Sequence, residues 1–90
     1  MEYYYVYALM NEKKEMYIGF SSDLKNRTKQ HKLGMSKYTK TSIKWRLIYY
    51  EAFLSKKDAI IREQKLKNNP KAKYELKKRL IHSSSIKIVI

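Results

Sequence analysis

The chain has 90 residues, 43% of them hydrophobic and 13% aromatic, enough for one core and too apolar for a disordered segment. It carries 21 Lys and Arg against 8 Asp and Glu, a formal net charge of +13, and no cysteine. This composition excludes a disulfide framework and a thiolate metal site. The charge favours a polyanionic partner held through phosphate contacts. No apolar run approaches the roughly 20 residues of a membrane helix, and residues 1–9 lack the basic start and apolar run of a signal peptide. The expectation is a soluble cytoplasmic protein with no membrane partner.

Residues 3–10 (YYYVYALM) are rich in aromatic and β-branched side chains and predict a strand. Residues 11–14 are a polar turn, and residues 15–20 a second strand, so the two predict a hairpin. Ser21, Ser22 and Asp23 offer N-cap oxygens for a helix reaching about Lys32. A basic loop with Gly34 in it follows over residues 32–44, and residues 45–53 (WRLIYYEAF) predict the third strand. Ser55 and Asp58 have capping-box spacing ahead of a helix through about Leu66. Asn69-Pro70 marks a break and a new start, because proline suits a first helical turn. Residues 71–81 then place Ala72, Leu76 and Leu80 at i, i+4, i+8, an amphipathic stripe that residues 83–85 end. For the apolar tail 86–90 (IKIVI) an added edge strand and docking on the core both stay open. The order β-β-α-β-α-α predicts a small α+β domain over residues 1–82, a three-stranded, mainly antiparallel sheet flanked by helices, with residues 83–90 as a tail.

Some polar residues fall where apolar ones are expected. On a wheel of roughly 100° per residue, Ala59, Ile60 and Leu66 define an apolar arc with Glu63 near its centre. A carboxylate turned toward a core needs a compensating partner. A structural ion pair with a lysine or arginine meets that need, and so does a divalent cation. In the first helix Arg27 and His31 are spaced i, i+4 on the face of Leu24. A surface pair is the common outcome of that spacing, yet an arginine can clamp a phosphate and a histidine can move protons near neutral pH. Tyr7 and Tyr17 lie on the neighbouring hairpin strands, where tyrosines often serve packing alone. Together these residues supply phenols, a cation and an anion around one patch, a set suited to phosphodiester hydrolysis.

At this point the sequence resembles the GIY-YIG nuclease superfamily, especially its short bacterial members, which are similar to the N-terminal nuclease domain of the excinuclease C repair protein. The first motif stands as Tyr5-Val6-Tyr7 and the second, intact, as Tyr17-Ile18-Gly19. Asp23-Leu24-Lys25-Asn26-Arg27 with His31 resembles the first-helix signature, and Ala59 to Leu66 (AIIREQKL) resembles the second helix, with Glu63 at the family's metal-binding glutamate. Ser36-Lys37-Tyr38-Thr39 and Trp45-Arg46-Leu47-Ile48-Tyr49-Tyr50 are similar to the short members as well. The resemblance covers residues 3–81. Tyr5 replaces the glycine that opens the first motif, as in many short members; larger family enzymes carry a late active-site asparagine, and Asn68 and Asn69 lie nearby with the choice between them, or neither, open.

The resemblance implies a metal-dependent endonuclease that hydrolyses DNA, RNA being left open, in DNA repair or processing. One divalent metal, Mg²⁺ or Mn²⁺, would sit on Glu63 and polarise the scissile phosphate. Arg27 would bind that phosphate, and Tyr7 would orient or deprotonate the attacking water, with Tyr17 or His31 relaying the proton. Gly19 would let the backbone pass close to the helix or the substrate. Lys32, Lys37, Tyr38, Lys40 and Lys44 of the basic loop would track the nucleic acid, unless that loop is only a solvated connection. Two alternatives carry no chemistry: a nucleic-acid-binding module that keeps the fold, and a small subunit that docks by charge.

Overall fold

The structure, a computed structural model, describes residues 2–32 and 44–85, and all of their side chains except those of Gln30, His31 and Lys32. Strand β1 (Tyr4–Asn11) and strand β2 (Met16–Ser21) form the expected antiparallel hairpin. Its turn is organised by buried Asn11, whose side-chain oxygen accepts from the backbone N–H groups of Lys13 (2.9 Å) and Glu15 (3.0 Å). The Asn11 amide donates in turn to the Glu15 carboxylate at 3.0 Å, and Lys14 completes the reversal at φ 64°.

Helix α1 (Leu24–Lys32) starts at Asp23, which accepts the Asn26 N–H at 3.1 Å. Strand β3 (Trp45–Phe53) then pairs with the free side of β1, giving an antiparallel sheet of order β2-β1-β3. Because β1 is central, it is buried on both faces. Its register with β3 shifts between Ala8 and Leu9, which leaves Ile48 as an extra residue of β3. The bulge lets Ile48 and Tyr49 both pack toward the core while Leu47 turns to the opposite face.

Helix α2 (Lys56–Asn68) is capped by the Ser55 hydroxyl, which accepts from the Asp58 N–H at 3.3 Å. Asn69 then does two jobs. Its N–H closes α2 on the Lys65 carbonyl at 2.9 Å, and its side chain opens helix α3 (Pro70–Arg79) by accepting from Lys71 and Ala72 at 3.0 and 3.2 Å. One face of the sheet (Val6, Ala8, Met10, Met16, Ile18) buries against Ala59 and Leu66 of α2, Ala72 and Leu76 of α3, and Leu80. The stripe expected from i, i+4, i+8 is the one that packs. On this face Arg62 of α2 grips both carboxylate oxygens of Glu51 in β3, at 3.1 and 3.0 Å.

One element departs from expectation. Residues 83–85 do not end the helical region but belong to a fourth short helix, α4 (Ile81–Ser85). The physical reason lies at its C-terminus, where the Ser84 carbonyl accepts from Arg46 at 3.0 Å and from the Lys14 ammonium, and the Ser84 and Ser85 hydroxyls bond back to Ile81 and His82. The expected alternatives for the tail 86–90 lie outside the described residues.

Replacing Asn69 removes a cap without touching the sheet. Asn69→Ala is expected to lower stability by about 1 kcal/mol, read as a lower urea midpoint at unchanged slope.

Candidate active site

The candidate site is built on the sheet face opposite the core, around the central strand. Tyr7 and Gly19 are register partners, and the Tyr7 ring folds across the glycine. A Cβ added at Gly19 would collide with the Cζ, Oη and Cε2 atoms of that ring. The glycine of the second motif therefore makes room for the tyrosine of the first, where a helix or substrate had been the expected neighbour. With Leu9 on the same face, Tyr7 is almost completely buried, at 1% exposure.

A phenol so placed must find a polar partner inside the protein. Arg27 of α1 supplies it: the guanidinium hydrogen-bonds to Tyr7 and to Tyr17, and as a group with donors only it donates to both oxygens. The Tyr17 ring stands 6.3 Å from that of Tyr7, tilted by 49°. Tyr17 lies on the edge strand β2, and α2, although it covers the core face, runs along that edge. Its Lys67 ammonium sits 5.9 Å from the centre of the Tyr17 ring and 3.4 Å from Oε2 of Glu63. Glu63 is close enough for its charge to act on Tyr7.

Burial dominates the electrostatics. Desolvation pushes the Tyr7 phenol up to about 12, Tyr17 and Glu63 add to the rise, and Arg27 only partly opposes it. The Arg27 guanidinium is in turn pushed above its ordinary value, chiefly by its hydrogen bond to Tyr7. Tyr7 is thus a neutral phenol at neutral pH, able to donate a hydrogen bond.

Four of the expected residues, Tyr7, Tyr17, Arg27 and Glu63, are brought together. His31 and Lys32 belong to α1, but their side chains lie outside the described residues, as do Lys37, Tyr38 and Lys40; Lys44 is exposed just before β3. Asn69 is committed to capping α3. Both readings of Glu63 find support: it does form an ion pair, yet one with a partly exposed lysine, the kind that solvent screens. Lys67 is the site residue that sequence reasoning missed. Its signal was the i, i+4 spacing from Glu63, which puts the two side chains on one helix face.

Two outcomes follow from this packing. Gly19→Ala is expected to cost about 1–3 kcal/mol through overpacking and to displace Tyr7, seen as a lower melting temperature and an easier spectroscopic titration of the buried tyrosine. The second concerns alkaline pH. Folded Tyr7 keeps its proton to about 12, whereas the unfolded chain loses it near 10.0. The stabilisation from this group is fully present below pH 10 and disappears as pH rises toward 12. Thermal melts across that window should show a shallower loss in Tyr7→Phe than in wild type.

Comparison with known proteins agrees with this geometry. A sequence model of the GIY-YIG catalytic domain matches residues 3–75. A UPF0213 protein of Lacticaseibacillus paracasei is 35% identical over 74 residues, covering 81% of this chain and 83% of the relative. Another, from Clostridium perfringens, is 37% identical over 84 residues, covering 92% and 87%. The solution NMR structure of a UPF0213 protein from Bacillus halodurans superposes with a TM-score of 0.58 at 30% identity, over 96% of both chains. A three-stranded antiparallel sheet that sets both motif tyrosines beside Arg27 and Glu63, together with these matches, shows that the chain belongs to the GIY-YIG catalytic domain family, a family of nucleases.

Proposed function

We propose that the chain is a divalent-metal-dependent endonuclease acting on phosphodiester bonds in DNA. One observation carries this: a guanidinium, a carboxylate and two phenols converge from two strands and two helices, on a chain of net charge +13. Glu63 and Lys67 both keep solvent contact, with side chains 19% and 43% exposed, so this side of the patch is open to a substrate.

Among the described residues no group of three or more His, Cys, Asp or Glu side chains forms a metal cage. Glu63 fits the other way of holding Mg²⁺ or Mn²⁺, a single carboxylate with water and substrate phosphate completing the shell. Its ion pair with Lys67 is part-exposed and opens at little cost. When bound there, the cation would polarise the scissile phosphate and stabilise the leaving oxygen.

The chain's own residues do the rest. Arg27, oriented by both phenols, binds the phosphate and balances the charge that builds on it. Tyr7 orients the attacking water by hydrogen bonding, since a phenol that ionises near 12 is a weak base at neutral pH. We assign the proton relay to Tyr17 or His31. Lys67, released from Glu63, turns to the nucleic-acid backbone. Lys44 and the lysines at 32, 37 and 40 extend that contact along the strand.

The test incubates wild type with plasmid, branched DNA, single strands and RNA in Mg²⁺ or Mn²⁺, beside Glu63→Ala, Arg27→Ala and Lys67→Ala. Wild type should cut DNA and Glu63→Ala should not. Arg27→Ala should be slower by about a hundred- to a thousandfold. Lys67→Ala should reach its own maximal rate at a lower metal concentration, because the competing ammonium is gone, while binding DNA more weakly. Cleavage by Glu63→Ala at the wild-type rate would sink the metal role. Salt-sensitive binding by a wild type that cuts nothing would leave the non-catalytic binding module in its place.

A further inference from the structure

Beside the candidate site, on the same sheet face, α1 stands away from β1 and β3 and leaves a cleft of about 620 Å³. Its lining combines the apolar Tyr5, Leu24, Leu47 and Tyr50 with the cations Lys25 and Lys29, and the Asp23 carboxylate that caps α1 also lines it. Tyr5 and Tyr50 meet edge to face, with ring centres 5.9 Å apart at 70°. Tyr50 is 54% exposed, although it sits on a sheet face and in register with buried Tyr7. Among the described residues neither Lys25 nor Lys29 has an ion-pair partner.

The geometry points to a nucleobase subsite: an unpaired base of a DNA strand lies in this cleft against Tyr50 and Tyr5, with its phosphate on Lys25 and Lys29. This rests on the nuclease reading above and narrows its substrate. An exposed tyrosine beside two lysines offers what a nucleotide needs, a π-face for the base and cations for the backbone. The spacing fits as well. Tyr50 is the cross-strand partner of Tyr7, so their Cα atoms lie roughly 5 Å apart. Tyr5 is two residues from Tyr7 along β1, roughly 7 Å. A base in the cleft therefore belongs to the nucleotide next to the phosphate gripped by Arg27.

The cleft also selects. A base stacked within a duplex offers only its edges, so it cannot lie against the face of Tyr50. The preferred substrate carries an unpaired nucleotide beside the cut, as at a fork, a flap or a frayed end.

The test measures fluorescence anisotropy without divalent metal, using a fork and a blunt duplex with equal numbers of phosphates. Wild type should bind the fork about tenfold more tightly. Tyr50→Leu should abolish that preference while keeping the duplex affinity, and Tyr50→Phe should retain it. Lys25→Ala and Lys29→Ala should weaken the fork and each lower its salt slope by about one. A 5-iodouracil at the unpaired position should photocross-link to Tyr50 or Tyr5 by peptide mapping. Equal affinity of wild type for both DNAs, or a fork preference that survives in Tyr50→Leu, would overturn the subsite. Either result leaves the nuclease reading standing if wild type cuts DNA and Glu63→Ala does not.

Discussion

The site hangs on one steric arrangement, the Tyr7 ring lying across Gly19. A side chain on the central strand of a three-stranded sheet is walled in on both sides, and the glycine removes the one obstacle to laying the ring flat against its neighbour. Once there, the phenol has lost water and must be satisfied from within. Arg27 does this, and the same guanidinium reaches Tyr17. Any larger residue at position 19 would lift the ring, release the arginine and disperse the cluster.

Two ion pairs show how the sheet divides its labour. Arg62 and Glu51 meet through two short contacts on the core face, where Glu51 also accepts a hydrogen bond from the Tyr49 hydroxyl. That geometry locks α2 onto β3. Glu63, the next residue along the same helix, makes a single contact with Lys67 at 3.4 Å, and Lys67 is more exposed than Arg62. The Arg62 Nε–H, shared between both Glu51 oxygens at short distance, resists exchange, whereas a lone, screened contact gives way to a competing cation or phosphate. One helix thus carries, at adjacent positions, an arginine committed to the fold and a carboxylate available for chemistry.

Much of this was legible in the sequence because it rests on local rules. Trp45–Phe53 was readable as a strand from its aromatic and β-branched content, and Ser55 and Asn69 as helix starts from side chains that accept backbone N–H groups. Tyr7, Tyr17, Arg27 and Glu63 were readable as a set from ordered motifs and helix faces. What escaped depends on contacts distant in sequence. The bulge at Ile48 is a matter of register between β1 and β3. Helix α4 is held by Lys14 and Arg46, which approach from the turn and from β3. The reason for Gly19 is a ring twelve positions earlier in the chain. Lys67 is local, one turn from Glu63, but it is one of 21 Lys and Arg in the chain, so its spacing alone does not single it out.

Helix α1 shows how function and stability share the same contacts. Its sequence, LKNRTKQHK, has one apolar residue, Leu24, so it has little hydrocarbon with which to dock on the sheet. An amphipathic helix such as α3 is held by its stripe of Ala72, Leu76 and the following Leu80, whatever its polar residues do. By contrast, α1 is held by the Asp23 cap, by Leu24 and by the hydrogen bonds of Arg27 to the two phenols. The residue proposed to grip the phosphate is therefore also the one that ties its helix to the sheet. A substrate phosphate drawing on Arg27 would loosen α1 from the tyrosines unless the substrate itself bridged helix and sheet. A nucleotide seated between α1 and Tyr50 would do so, returning the contact that its own phosphate takes away.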